Sequence, residues 1–413
     1  MASPRVRAFA VLACRSVIFA LLFWLWANIF WVFLEKTAWR LRYLRSPSDI
    51  MNDPPCARPE CDFSQFWPAG FLARAHKFVV LYDPTKFLAY RHNLFAMTVS
   101  RIDWVYPPPM LLPSAAISFF PFEMAFAIWT LILTSGAILL LRWARIPWGV
   151  VGLTLLSPAV LWNLEMGQFS FFASCCFLAG LLMVSRQPRR AGFAFGALLL
   201  KPQIAILAPV VLLAKGNLRA LATAALVASG VVLMTLIIFG TSVWRTFVQI
   251  GGPASRSILQ KPFALGYQQF GISSFWMLRS FGLGLEASYI CQLLLSLAGI
   301  FLCWKLWRSD LDLTIQVEMT VFLSLLVTPY GFTYDLGAYS AVIAMNVVRR
   351  GWKPNITDAL FWLWPAVCPV IVMFWGLLFT PLVVAAAGWN YWQEGLAFAH
   401  ASGCATGQPR KVQ

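Results

Sequence analysis

Long apolar runs, closed by basic residues, recur along the chain. The first is SVIFALLFWLWANIFWVFL, residues 16–34, which holds no charge between Arg15 and Glu35. That is about the length a helix needs to cross the hydrocarbon core. Further runs cover 122–141, 147–163, 169–184, 219–240, 285–304, 313–328 and 336–348, and 358–398 is long enough for two more. Alternate runs end on cations: Arg142 and Arg145; Arg186, Arg189 and Arg190; Lys215 and Arg219; Lys305 and Arg308; Arg349, Arg350 and Lys353. The positive-inside bias places these ends, with the N-terminus, in the cytoplasm. AGFAFGALLL and IAILAPVVLLA are short arms around Lys201-Pro202. They read as a shallow hairpin, broken by the proline, with Lys201 near its outer tip.

The pattern predicts an all-α polytopic membrane protein of about ten to twelve spans, with 1–413 forming one integral membrane domain. Two stretches interrupt it, 36–120 and 241–284, and both read as extracytoplasmic loops. In the first, FSQFWPAGFLARA predicts a helix lying in the interface, with Asp62 placed to N-cap it. Asp83-Pro84 reads as a turn, and PPPMLLPSAAISFFP as a proline-broken interfacial element.

Composition removes the alternatives to a membrane protein. The chain is 60% hydrophobic and 12% charged, against about 25% charged in ordinary globular domains. The first run is too long for a signal peptide, and no small-residue cleavage site follows it, so it reads as a retained anchor. A net charge of +16 would suggest nucleic acid in a soluble protein. Here most basic residues cap apolar runs, so the charge reports topology and no nucleic-acid partner is expected. Of nine cysteines, Cys56 and Cys61 bracket ARPE in the first loop. They are either a small disulfide or two free thiols, since spacing does not set the Cβ geometry. The three histidines lack ligand spacing to the cysteines, and no metal is expected.

The charge map gathers polar residues at one face: Asp62, Asp83, Asp103, Glu165, Gln168, Lys201 and Asp335. Ionisable groups at membrane depth need a partner or a function. Lys201 has two readings: a structural ion pair, for instance with Glu165, or a cation that holds a ligand's phosphate. Asp62 is followed by Phe63 and Ser64, so there is no DxD-like pair. There is also no Gly-rich nucleotide fingerprint.

DFSQFWPAGFLARA, LYDP, VYPPP, EMGQFSFF, RRAGFAFGALLLKPQ and TPYGFTYDL occur in this order over residues 60–340. Together they resemble glycosyltransferase family 87, the family typified by polyprenyl-phosphate-mannose-dependent α-mannosyltransferases. The resemblance implies a C-type glycosyltransferase bundle with a large first extracytoplasmic loop. It implies an inverting transfer from a sugar on a polyprenyl phosphate to a glycan or glycolipid, on the outer side of the inner (plasma) membrane, without a cofactor. Asp62 matches the proposed catalytic residue, Gln168 the GQ motif and Lys201 the AG…K motif. Asp335 falls near a motif where many relatives carry a Trp and His pair, so its role is open.

On this reading Asp62 takes the proton of the acceptor hydroxyl. Lys201 is the first candidate for holding the leaving phosphate, with Arg101 and Arg256 behind it. Glu165 and Gln168 join them as substrate contacts, and Trp67 and Tyr106 are candidates to stack on sugar faces. The rival reading is a lipid-linked sugar flippase or secondary transporter, with polar groups at mid-membrane depth reachable from both faces.

Overall fold

The computed structural model describes residues 4–43, 62–95, 99, 101–264 and 266–406. The possible Cys56–Cys61 bridge lies outside the described residues. Among the described residues the regular structure is helical. The chain begins with α1 (Pro4–Tyr43), a long peripheral helix. A compact group follows: α2 (Phe63–Arg74), α3 (Phe78–Tyr82), α4 (Pro84–Phe95) and α5 (Leu111–Ile117). The middle of the chain forms α6 (Phe122–Trp143), α7 (Trp148–Leu155), α8 (Pro158–Met166), α9 (Ser170–Met183), α10 (Pro188–Ala197), α11 (Ala208–Ala214) and α12 (Leu218–Thr246). The last part comprises α13 (Gly252–Gln260), α14 (Ser274–Ser280), α15 (Leu285–Arg308), α16 (Leu313–Val327), α17 (Gly337–Arg349), α18 (Ile356–Trp375) and α19 (Thr380–Thr406). This is an all-α polytopic membrane protein.

Among the described residues, five helices are each long and apolar enough to cross a membrane, Ser16–Thr37, Phe122–Trp143, Leu218–Gln260, Leu285–Arg308 and Ile356–Trp375, and α7 with α8 adds a pair bent by 60°. The expected crossings at 169–184, 313–328 and 336–348 are helices of 14, 15 and 13 residues. At 1.5 Å per residue they reach only about 20 Å. Nearly every side chain of α9 is buried, as are most of α16 and α17. A helix enclosed by other helices is apolar all round, as a lipid-facing one is, so hydropathy does not separate the two.

The second expected loop also differs. The helix does not end near 240. It bends at Gly240, where φ is +74°, and runs on through a π-helical turn at Phe247–Gly251 into α13. A glycine absorbs the bend because this backbone conformation is nearly closed to residues with a Cβ.

Two cores result. The larger runs through α6–α11, α15–α17 and α19, around Phe177, Leu181, Val211, Val342 and Tyr391. The smaller belongs to the first loop region and joins α2–α5 to the start of α6 through Phe63, Phe66, Tyr82, Trp104 and Trp129. Asp83 does form the expected turn: its Oδ1 accepts from the backbone N–H of Thr85 and Lys86, both at 3.0 Å. The proline-broken stretch is a 3-10 turn, Pro108–Met110, leading into α5. Helix α2 lies directly on α5 because Gly70 has no side chain. A Cβ there would sit 2.0 Å from the Ser114 carbonyl oxygen.

Backbone atoms do not yield to such an overlap, so Gly70→Ala must separate α2 from α5. The expected cost is about 1–3 kcal/mol. It should be read as a lowered thermal midpoint of the purified protein in detergent.

Candidate functional site

A cavity of about 630 Å³ opens between the first loop region, α8, α13 and the segments 266–270 and 330–334. Asp62 stands on its wall at the start of α2. Its backbone occupies the N-cap position, yet its side chain makes no capping hydrogen bond. The carboxylate turns away from the helix and its Oδ2 accepts from Gln168 Nε2 at 2.8 Å. The same Nε2 lies 3.2 Å from the Tyr106 hydroxyl. Asp62, Tyr106 and Gln168 all line the cavity.

The MGQ segment explains how Gln168 is aimed. Gly167 ends α8 in the left-handed conformation, φ +65°, and its carbonyl accepts from Trp129 Nε1 at 2.9 Å. A Cβ there would meet Phe63 and Phe126 at 2.7 Å. Only glycine satisfies both demands. Asn163 closes the turn: its amide donates to the Gln168 carbonyl at 2.8 Å, and its Oδ1 accepts from Phe171 N at 2.9 Å. On the other side, Phe66 stacks on Trp129, with centroids 5.2 Å apart, and meets Trp104 and Phe169 edge-on. This aromatic packing seats α2, and with it Asp62, against the GQ turn.

Burial raises the Asp62 carboxyl above the ordinary carboxylate range. The Gln168 hydrogen bond, the Lys201 charge and the Tyr334 hydroxyl each pull it back down. Desolvation therefore dominates, but donors and a nearby cation favour the ionised form.

Lys201 is buried, and its ammonium donates to Ser170 Oγ and to Asp335 Oδ1. It follows the 3-10 turn Leu198–Leu200, and Pro202 breaks the arms as expected. The structural partner is Asp335, not Glu165. Glu165 pairs with Lys36 of α1, which brings the peripheral helix to α8. Asp335 Oδ2 accepts from the Phe332 N–H at 2.9 Å, so the pair fixes the turn that carries Tyr330, Phe332, Thr333 and Tyr334 onto the cavity wall. Lys201 and Asp335 stand behind that wall and do not line it.

The other expected residues divide. Arg101 lines the cavity, with its Nε 3.1 Å from Asp103 Oδ1. Trp67 does not: its ring packs on Phe71, Phe95 and Phe122, and its Nε1 donates to the Phe120 carbonyl at 2.9 Å. That is the anchoring role such aromatics commonly have. Arg256 is exposed on α13 and outside the cavity. Reading the sequence missed Asn163, Ser170, Lys261, Tyr330 and Tyr334. Ser170 and both tyrosines lie inside the motifs that drew attention to Gln168 and Asp335, and Asn163 lies two residues before the first of them, so the signal was in or beside the motifs. Two buried polar atoms of the wall, Gln65 Oε1 and Thr333 Oγ1, have no hydrogen-bond partner among the described residues.

Fold and site define a helical membrane protein with an open, largely apolar cavity on whose wall a carboxyl group accepts a hydrogen bond from a neutral amide. The sequence pattern of glycosyltransferase family 87 matches residues 104–329, more than half of the chain. The chain belongs to that family and is a membrane glycosyltransferase. The matched region contains Gln168 and Lys201. It begins after Asp62 and ends before Asp335. No curated protein and no solved structure shows significant similarity to the chain.

Lys201→Met leaves the buried Asp335 carboxyl without its cation. The expected destabilisation is about 3–5 kcal/mol. The double variant Lys201→Met/Asp335→Leu removes both charges and should recover most of the lost thermal stability. Equal melting of the single and double variants would mean that the pair does not hold this turn.

Proposed function

We propose that the protein transfers a sugar from a polyprenyl phosphate to a glycan or glycolipid acceptor, inverting the anomeric carbon, on the extracytoplasmic side of the inner (plasma) membrane. Mannose is the expected sugar, by the family resemblance. The observation that carries the reading is the Asp62 carboxylate, which faces a cavity while hydrogen-bonded to Gln168 instead of being neutralised by a cation.

The chemistry follows from that arrangement. The acceptor hydroxyl oxygen attacks the anomeric carbon, and Asp62 takes its proton. The bond from that carbon to the phosphate oxygen breaks, and its electron pair leaves with the phosphate. No acid is needed on the leaving side, because phosphate is stable as an anion. One base is enough for inversion by direct displacement. Tyr106 and Gln168 orient the carboxylate. Lys201 serves as a positioning residue: it holds the tyrosine-bearing turn through Asp335 and, from behind the wall, favours the ionised state of Asp62.

Asp62→Asn should lower turnover by about 10²–10⁴-fold with donor binding retained, measured as phosphoprenol release from a mannosyl-phosphoprenol and a mannoside acceptor. Undiminished turnover would remove Asp62 as the base.

The pH dependence has a defined sign. The base works ionised, so activity falls as pH drops through its raised pKa. Gln168 donates to the charged form, so Gln168→Leu should raise that pKa further. The acid limb of the kcat/KM profile then moves to higher pH. A limb that stays in place would mean that Gln168 does not support the charge.

A further inference from the structure

We propose that Lys261 holds the phosphate of the donor. This rests on the sugar-phosphate reading above and names the cation that reading needs.

A glycosyl prenyl phosphate is a diester with one negative charge. When the anomeric bond breaks, the phosphate keeps the electron pair and its charge grows. A cation aimed at that oxygen is stabilising mainly in the transition state. It must stand on the cavity wall and be free to take a new partner. Lys201 meets neither condition, because its ammonium is shared between Ser170 and Asp335 behind the wall. Arg101 is on the wall but lies against Asp103. Arg91 is on the wall but buried, with its guanidinium donating to the Ser64 hydroxyl and carbonyl.

Lys261 meets both conditions. It lines the same cavity as Asp62, its side chain is exposed, and it forms no ion pair among the described residues. Its backbone is nonetheless held. The Lys261 carbonyl accepts from Arg279 at 3.4 Å, and Gln268 Nε2 donates to the next carbonyl, of Pro262, at 3.0 Å. Tyr267 ties the loop to the end of α13 through the Ile258 carbonyl, at 3.2 Å. A held backbone with a free ammonium is the arrangement that binds an anion at low ordering cost. The same cavity offers a lining for the rest of the donor: Ile258, Trp162, Met166 and Phe270 are apolar surfaces suited to the first prenyl units.

The test is direct binding of a short prenyl phosphate, and of the matching prenol, to the full-length protein in detergent, by calorimetry. Lys261→Gln should weaken the phosphate roughly ten- to hundred-fold, the range for one hydrogen bond to a charged group. Lys261→Arg should recover much of that loss. Prenol affinity should not change in either variant. Unchanged phosphate affinity in Lys261→Gln overturns the assignment. So does an equal loss for phosphate and prenol, which would show a packing effect. If the unsubstituted protein binds prenyl phosphate no better than prenol, the phosphate-donor reading itself falls, and this assignment with it.

Discussion

The site is organised around one interaction: the buried Asp62 carboxyl accepts a hydrogen bond from a neutral amide and carries no cation on its oxygens among the described residues. A full ion pair would hold Asp62 firmly, but a paired carboxylate is a poor base. An unsupported one would take up a proton on burial. The structure lies between these limits. A neutral amide, Gln168, meets the carboxylate at 2.8 Å, and the nearest buried ammonium is bound to Asp335 instead. The charge on Lys201 reaches Asp62 only as a field, which lowers the carboxyl without occupying its oxygens.

Holding that geometry requires the first loop region to be as rigid as the bundle. It has its own aromatic core, in which Phe66 contacts Trp104, Tyr106, Trp129 and Phe169. These rings come from the loop region, from α6 and from the GQ turn, so one cluster holds Asp62 against the amide that donates to it. Gly167 allows the close approach, and Trp129 donates to its carbonyl. The opposite wall is built in the same way. The Ile272 N–H donates to the Gly331 carbonyl at 3.1 Å, joining the segment after α13 to the turn that Lys201 and Asp335 secure. Two segments far apart in the chain thereby form two walls of one cavity.

The motifs leave open which cations pair within the protein. A lysine in a motif invites a role in binding substrate. Lys201 instead performs the bland task, structural pairing, with a partner 134 residues away in the chain. A buried pair is costly to assemble and costly to break, so it suits a fixed turn better than a group that must accept and release a ligand. The lysine that faces the cavity, Lys261, lies in no motif.

Much was legible in one dimension. Apolar runs capped by cations specify a polytopic helical protein, because lipid tolerates a backbone only when its own hydrogen bonds are satisfied. The motifs around residues 62, 168, 201 and 335 were also readable, and so were the helix after Asp62 and the Asp83 turn. What the linear chain does not hold is which charge meets which. Glu165 and Asp335 are both acids near apolar runs, and only the packing of α1 against α8, and of α9 beside the 333–335 turn, decides that the first meets Lys36 and the second Lys201. Hydropathy likewise does not separate a helix bathed in lipid from one wrapped in protein, as α9 and α16 show. Local chemistry sets what each segment is able to form. Coulombic and hydrogen-bond partners are chosen by distance in space, and that is a property of the tertiary structure alone.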